Sequence, residues 1–243
     1  INLRGLGTTP DDDPDVLVST RFWADRGRVI SLSFRSSRAL DQVIARFLDG
    51  SITDPGDLIS SFAETTSDLL DPMIAALGDA MDDCEVIVDT GSILGTRRKV
   101  TDIRSQAISY RRFIAPQRQA LERLAGATLD WLDDDDRIHL REAADGAARM
   151  TEELEAIRER AALIHEELTD RRAELIDTRS LILSIAALIF LPVTFVTGLL
   201  GMNVAGIPFA QEPWAFWGVV AFCILIALIV LGWFVKARWL RGK

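Results

Sequence analysis

The stretch LILSIAALIFLPVTFVTGLLGMN, Leu181 to Asn203, begins with twenty residues that carry no charge and ends in Gly-Met-Asn. As a helix rising about 1.5 Å per residue, Leu181 to Leu200 is long enough to cross about 30 Å of hydrocarbon. A second run, Trp214 to Val235, spans twenty-two residues and is equally apolar. Both are read as transmembrane helices. The alternative, two buried helices of a soluble core, requires two such runs side by side at a C-terminus. Trp214, Phe216 and Trp217 open the second span and Trp233, Phe234 and Trp239 close it, where amphipathic rings settle at the two membrane interfaces.

Charge sets the orientation. Between Arg179 and Lys236 the only acidic or basic residue is Glu212. Arg171, Arg172 and Arg179 precede the first span, and Lys236, Arg238, Arg241 and Lys243 follow the second, so both termini are expected in the cytoplasm. Removing Glu212 and those four basic residues from the net −9 leaves about −12 on the part before Ser180. An acidic body on an apolar tail excludes nucleic acid as a partner. The lipid bilayer is the partner it implies. The chain begins at Ile1 with no initiator Met and no signal peptide, and reads as a fragment. Its two cysteines, Cys84 and Cys223, show no paired spacing.

In the polar part, DVLVSTRFW (Asp15 to Trp23) and RVISLSF (Arg28 to Phe34) predict a hairpin, the only clear sheet. The acidic loop before it, with Asp11, Asp12, Asp13 and Asp15, reads as solvated. Helical signals follow: Ser37 to Leu48, stopped at Gly50; a long helix from Asp54-Pro55 towards Asp89, kinked at Pro72; and Arg97 to Leu124, interrupted or bent at Pro116. The run WLDDDDRIHL opens the last helix, its aspartates serving either as caps or as a metal site. From Leu140, the residues Ala143, Ala147, Met150, Leu154, Ile157, Ala161, Ile164 and Leu168 follow at steps of three and four, a heptad seam. A helix from about Asp134 to Leu200 would then be roughly 100 Å long. Its partners are either the other helices of its own domain or copies of itself.

The first span is not uniform around its axis. Steps of three and four from Asp177 pass through Ser180, Ser184, Ala187, Leu191, Thr194, Gly198 and Gly201, a stripe of mostly small or hydroxyl residues. The neighbouring row, Leu181, Ile185, Leu188, Pro192, Phe195, Leu199 and Met202, is bulky. Close helix packing and a water-facing pore wall both account for such a stripe. Extended backwards, the row meets Glu152, Glu159, Glu166 and Asp170, opposite the apolar seam. These carboxylates suit either a solvated surface or a vestibule that concentrates cations. Oxygens of Thr194 and Asn203 could accept hydrogen bonds from a hydrated ion, with Leu191 as a hydrophobic constriction. His139 and His165, the only histidines, show no zinc-ligand spacing and read as surface or packing residues. No nucleophile–base pair or phosphate loop is visible, so no enzyme is expected.

GMN after a first span, a short outward loop and a basic tail after a second span resemble the CorA superfamily of divalent-cation transporters. IFLPVTFVTGLLGMNVAGIP (Ile189 to Pro208), EPWAFW (Glu212 to Trp217), RWL (Arg238 to Leu240), VSTRFW (Val18 to Trp23), RVIS (Arg28 to Ser31) and APQR (Ala115 to Arg118) are similar to its ZntB zinc-transporter branch. Two places depart from that branch. Ala205-Gly206-Ile207-Pro208-Phe209 stands where it usually has Gly-Gly-Ile-Pro-Gly, and Asp177 and Arg179 stand where it has amides.

The resemblance implies an α+β, mostly helical homopentamer. A cytoplasmic α/β domain (1–133) would lead into a stalk helix (134–180) continuous with a pore-lining span (181–203). A periplasmic loop (204–213), a second span (214–235) and a basic tail (236–243) would follow. Gly201, Met202 and Asn203 would form a selectivity ring, with Asn203 touching the hydrated ion in transit. The implied cargo is Zn²⁺, with Co²⁺, Ni²⁺ or Cd²⁺ beside it, taken up with or without protons and with no cofactor. A Mg²⁺/Co²⁺ channel of the CorA type is the nearer alternative, and a membrane-anchored coiled-coil scaffold or sensor is the alternative from another class.

Overall fold

A computed structural model of the chain describes residues 1–8, 17–25, 27–90, 93–202, 204, 206–207, 209 and 212–241, with side chains at all of these except 88–90, 93–94 and 237–241. The acidic loop of Asp11 to Asp15 lies outside the described residues. Three strands come first, β1 (Asn2–Gly5), β2 (Val18–Asp25) and β3 (Arg28–Ser33), followed by α1 (Arg38–Leu48), α2 (Pro55–Thr90), α3 (Ile93–Ala125), α4 (Asp134–Leu200) and α5 (Pro213–Arg241). The chain divides into two units, Ile1–Thr169 and Asp170–Lys243.

In the first unit the hairpin forms as the sequence predicts, with Phe22 opposite Ser31 and Asp25 opposite Arg28. Its turn contains Gly27 at φ +83°, a left-handed conformation that costs glycine little. The sequence pattern does not announce β1, which pairs antiparallel with β2, Leu3 opposite Thr20. Four residues with one inward apolar side chain are too few to show a period. Long-range contacts hold the strand: the Arg4 N–H donates to Gln117 Oε1 (2.7 Å), and the Arg4 guanidinium lies 4.3 Å from the centre of the Phe113 ring.

One face of the sheet packs on helices, Phe22 meeting Phe62 edge-on at 4.8 Å between ring centres, with Leu3, Val43 and Ile59 in the same core. Its other face is apolar and open, with Trp23, Ile30 and Leu32 each more than half exposed.

The second core is helical. All nine residues of the α4 seam are buried. Those from Ala147 to Leu168 pack with Leu70, Ile74, Leu77 and Met81 of α2 and with Val100, Ile103, Ala107, Tyr110 and Ile114 of α3. The seam therefore finds its partners in its own unit. At about 1.5–3 kcal/mol for each fully buried large aliphatic side chain, this packing outweighs any single backbone defect along it. Proline therefore ends neither helix: α2 runs on through Pro72, as the reading of one long helix expects, and of the two outcomes open at Pro116 the continuous α3 excludes the interruption. One missing hydrogen bond does not end a helix whose apolar face is held along its length.

Helix starts follow local chemistry. Asp54 Oδ1 accepts the N–H groups of Gly56 (2.7 Å) and Asp57 (3.0 Å), capping α2 with Pro55 at its first turn. At α4 the cap is reciprocal. The Asp136 N–H donates to Asp133 Oδ1 (2.8 Å), and the Asp133 N–H donates to Asp136 Oδ2 (3.2 Å). Arg137 reaches back to the carbonyls of Ala125 (2.8 Å) and Ala127 (2.6 Å), joining the end of α3 to the start of α4. Replacing Asp133 by Ala should lower the stability of this unit by about 1 kcal/mol, read as a reduced melting temperature; an unchanged melting curve would show that the cap is dispensable.

Candidate functional site

Two regions bring chemistry together, one in each unit. In the second unit, α4 and α5 are the helices long and apolar enough to cross a membrane, and none of the most apolar stretch of either is buried. Each has one half-covered side. On α4 it is Ile185, Ile189, Val193, Val196 and Leu200; on α5 it is Ala215, Val219, Cys223, Ile226, Val230 and Phe234. Both rows repeat at steps of three and four, so each helix is shaded along a single stripe.

The small-residue stripe lies on the opposite side of α4. Asp177, Ser180, Ser184, Ala187, Leu191, Thr194, Gly198 and Gly201 are all exposed, and a Cβ placed on Gly198 would meet open space. Close packing against α5 therefore does not account for these small residues within one chain. Met202 is exposed as well, while Asn203 lies outside the described residues.

The hydroxyls on and beside the stripe have a defined polarity. Ser184 Oγ donates to the Ser180 carbonyl (2.9 Å). Thr197 Oγ1, which periodicity sets beside the stripe and not on it, donates to the carbonyls of Val193 (2.9 Å) and Thr194 (3.2 Å). Bonded back to their own helix, these groups use their proton internally and leave lone pairs for whatever lies outside. From Ser180 onward the surface is uncharged but electron-rich, and it can accept from the water of a hydrated cation. After Gly201, the loop has two left-handed residues, Gly206 (φ +103°) and Phe209 (φ +60°). The second falls where the resembling branch carries glycine. A phenylalanine there bears a steric cost that glycine avoids, and its ring lies 5.2 Å from Trp214.

The carboxylates Glu152, Glu159 and Glu166 are exposed on the first unit's part of α4, opposite its buried seam, and Asp170 is exposed in the second unit. None of the four has an ion-pair partner among the described residues.

The first unit also gathers two polar clusters at the start of α4. Asp136 is 3% exposed and shares a cluster with Asp54 and Asp57 at the start of α2, their nearest oxygens within 4.8 Å of one another. Gly56 makes this possible, since a Cβ there would overlap the Asp136 carboxylate. Burial pushes the Asp136 carboxyl up to about 6; the Asp133 N–H opposes the shift, and the charges of Asp54, Asp133 and Asp57 add to it. The capping reading of the aspartate run is therefore correct for Asp133 and Asp136. Their tertiary neighbours, some eighty residues earlier in the chain, are beyond any local pattern.

The second cluster surrounds His139. Its Nδ1 lies 2.5 Å from Glu64 Oε1 and 3.8 Å from Glu142 Oε2, and its Nε2 lies 3.6 Å from Asp135 Oδ2. Partial burial pushes the imidazolium down, but the Glu64 carboxylate, with Asp135 and Glu142, more than offsets it and leaves His139 above the ordinary histidine value. Glu64, His139 and Glu142 offer one imidazole nitrogen and two carboxylate oxygens from two helices, a donor set compatible with a divalent metal.

The Asp136 environment predicts a pH effect. Below about pH 4 the carboxyl is protonated in folded and unfolded chains alike. Between there and about pH 6 only the unfolded chain has released the proton, so stability falls as pH rises; above that the cost is complete, at most about 3 kcal/mol. Asp136→Asn should melt several degrees higher than the wild type at pH 7.5 and depend less on pH between 4.5 and 7.5. Parallel melting curves for the two proteins across that range would refute the assignment.

The chain as a whole is similar to known proteins. A family model described as CorA-like Mg2+ transporter protein matches residues 1–237. The zinc transport protein ZntB of Pectobacterium carotovorum is 33% identical over 244 residues, covering 99% of this chain and 73% of that protein. The structure of full-length CmaX aligns with a TM-score of 0.79 at 32% identity, covering 98% of this chain and 73% of that one. The CorA magnesium transporter of Methanocaldococcus jannaschii reaches the same TM-score at 15% identity, covering 100% and 76%, a likeness of fold alone.

Proposed function

The chain belongs to the CorA-like Mg2+ transporter family, and from that premise we propose that it carries divalent cations, Zn²⁺ foremost, through a pore lined by the small-residue stripe of α4. Membership of the family makes it a membrane transporter of divalent ions. The preference for zinc is drawn from the ZntB relative. The single observation that supports a pore wall is the position of the stripe: exposed, uncharged from Ser180 onward and opposite the shaded side of α4, with the Ser184 hydroxyl presenting lone pairs.

Mechanistically, copies of the chain surround a common axis, five by the family resemblance, with Ser180, Ser184, Thr194 and Gly198 facing inward. Glu152, Glu159, Glu166 and Asp170 enrich cations at the cytoplasmic entrance, and Leu191 narrows the path. At the outer end Gly201, Met202 and Asn203 form the ring that selects the ion, the Asn203 amide oxygen accepting from its hydration shell. An amide attracts a divalent ion less deeply than a carboxylate does, so the ion is released as well as admitted. The membrane is a bacterial inner membrane with both termini cytoplasmic, and a proton gradient drives uptake of zinc.

Purified chain in liposomes should pass Zn²⁺, with Co²⁺ and Ni²⁺ behind it, faster with an imposed pH gradient than without. Absence of flux above empty vesicles for Zn²⁺, Co²⁺, Ni²⁺ and Mg²⁺ alike would sink the transport reading, and preferred Mg²⁺ flux would replace zinc by magnesium. Asn203→Ala should reduce flux about tenfold or alter ion preference, the scale of one lost hydrogen bond to a charged partner, with assembly intact. Thr194→Arg should abolish flux, whereas a scaffold or sensor would tolerate it.

A further inference from the structure

Helices α2 and α3 form an antiparallel pair of opposite charge. Across α2 there are nine acidic residues and no basic one; across α3 there are eight basic residues and two acidic ones. Leu77 and Met81 of α2 and Val100 and Ala107 of α3 belong to one buried apolar core, and Lys99 with Asp83 is the one ion pair between the two helices among the described residues, so most of this opposition is not spent inside the pair. Lys99 against Asp83 (3.7 Å) bridges the two helices near their shared end and marks their relative height.

On α2 an exposed row at steps of three and four runs Asp71, Ala75, Asp79, Asp82, Val86. On α3 a second row runs Arg97, Thr101, Arg104, Ile108, Arg112, exposed except for the half-buried Arg97. The register set by Lys99 and Asp83 puts the rows at matching heights within a residue: Asp71 with Arg112, Ala75 with Ile108, Asp79 with Arg104, Val86 with Arg97. Asp82, already neutralised by Arg160 of α4, stands level with the uncharged Thr101. Yet Asp71, Asp79 and Arg104 have no ion-pair partner among the described residues of their own chain, and Arg112 makes only a cation–π contact with Phe113. The rows complement each other point for point and do not meet.

We propose that these rows mate between copies, the α3 row of one chain lying against the α2 row of the next. Copies set side by side with their helix pairs aligned bring equal heights together. Each chain then presents an acidic row to one neighbour and a basic row to the other, a head-to-tail contact that closes into a ring. The match in height is what selects a second copy as the occupant, since an unrelated partner has no reason to share this spacing. Ile108 against Ala75 supplies an apolar centre to an otherwise charged contact. The inference rests on the proposed ring of copies and specifies the surface that orders them.

The test uses the full chain in detergent, with assembly mass followed by light scattering on dilution. Arg104→Glu and Asp79→Arg should each raise the concentration needed for half-assembly by roughly fivefold, the upper range for an exposed ion pair, and the double swap should return it towards wild type. The swap of Arg112 and Asp71 should behave in the same way. Circular dichroism and an unchanged melting temperature show that the variants fold, and Arg104→Gln gives a milder version of the same loss. Single reversals that assemble like wild type, a double swap no better than its parents, or a wild type that stays monomeric each overturn the proposal. So does a loss confined to binding of anionic phosphatidylglycerol vesicles with assembly mass unchanged, which would assign the basic row to lipid. Ion flux is measured separately: a chain that transports while ignoring the charge swaps sinks only this interface, and a chain that assembles through it without flux sinks only the transport reading.

Discussion

The apolar seam of α4, held between α2 and α3, is the contact on which the rest of the structure depends. Its residues from Ala147 to Leu168 are buried at steps of three and four, which fixes the rotation of the helix about its own axis. Once that rotation is set, the opposite side of α4 is set as well. Glu152, Glu159 and Glu166 must point away from the core, and the same period carried forward through one continuous helix places Ser184, Thr194 and Gly198 on a row of their own. Within each unit, the periodicity of the helix thus sorts its residues into a covered row and an exposed one.

The division of labour along α4 follows from electrostatics. Carboxylates are tolerated in number where water screens them, whereas in hydrocarbon a charge is costly unless it is paired or hydrated. This side of α4 accordingly keeps polarity without charge in its membrane part, where the hydroxyls of Ser184 and, beside the stripe, Thr197 spend their proton on their own helix. In the transport we propose, strong attraction at the entrance and weak attraction within suit an ion that must leave as readily as it arrives. The Asp136 cluster follows a different rule: a buried carboxylate held among two capping aspartates stores an unfavourable charge at the start of the longest helix.

Much of this was legible in the sequence because it is periodic. Two uncharged runs, a seam from Leu140 to Leu168 and the alternation of Val18 to Trp23 are local signals, and the fold places a helix or a strand at each. What escaped was set by distance along the chain. Strand β1 is held by Gln117 and Phe113, Asp136 is buried against a helix start some eighty residues earlier, and His139 gains Glu64 from another helix; none of these leaves a local pattern. Pro72 and Pro116 carry a real backbone penalty, and the buried faces of their helices keep both helices continuous past it. Thr197 shows a finer limit: its neighbours in sequence place it beside the stripe, and only the hydrogen-bond geometry gives its oxygen the same character as Ser184.

The open face of the sheet bears on how the molecule can be handled. Trp23, Ile30 and Leu32 form an apolar surface on strands where β3 offers an edge with no neighbour among the described residues, the combination that invites one sheet to stack on or extend another. Such sticking grows with protein concentration and resists salt, because it draws on apolar surface and backbone hydrogen bonds instead of paired charges. Material lost to it would mimic an oligomer in a sizing experiment. A lysine at Ile30, pointing into solvent from that edge strand, is the substitution by which ordered assembly and simple aggregation can be told apart.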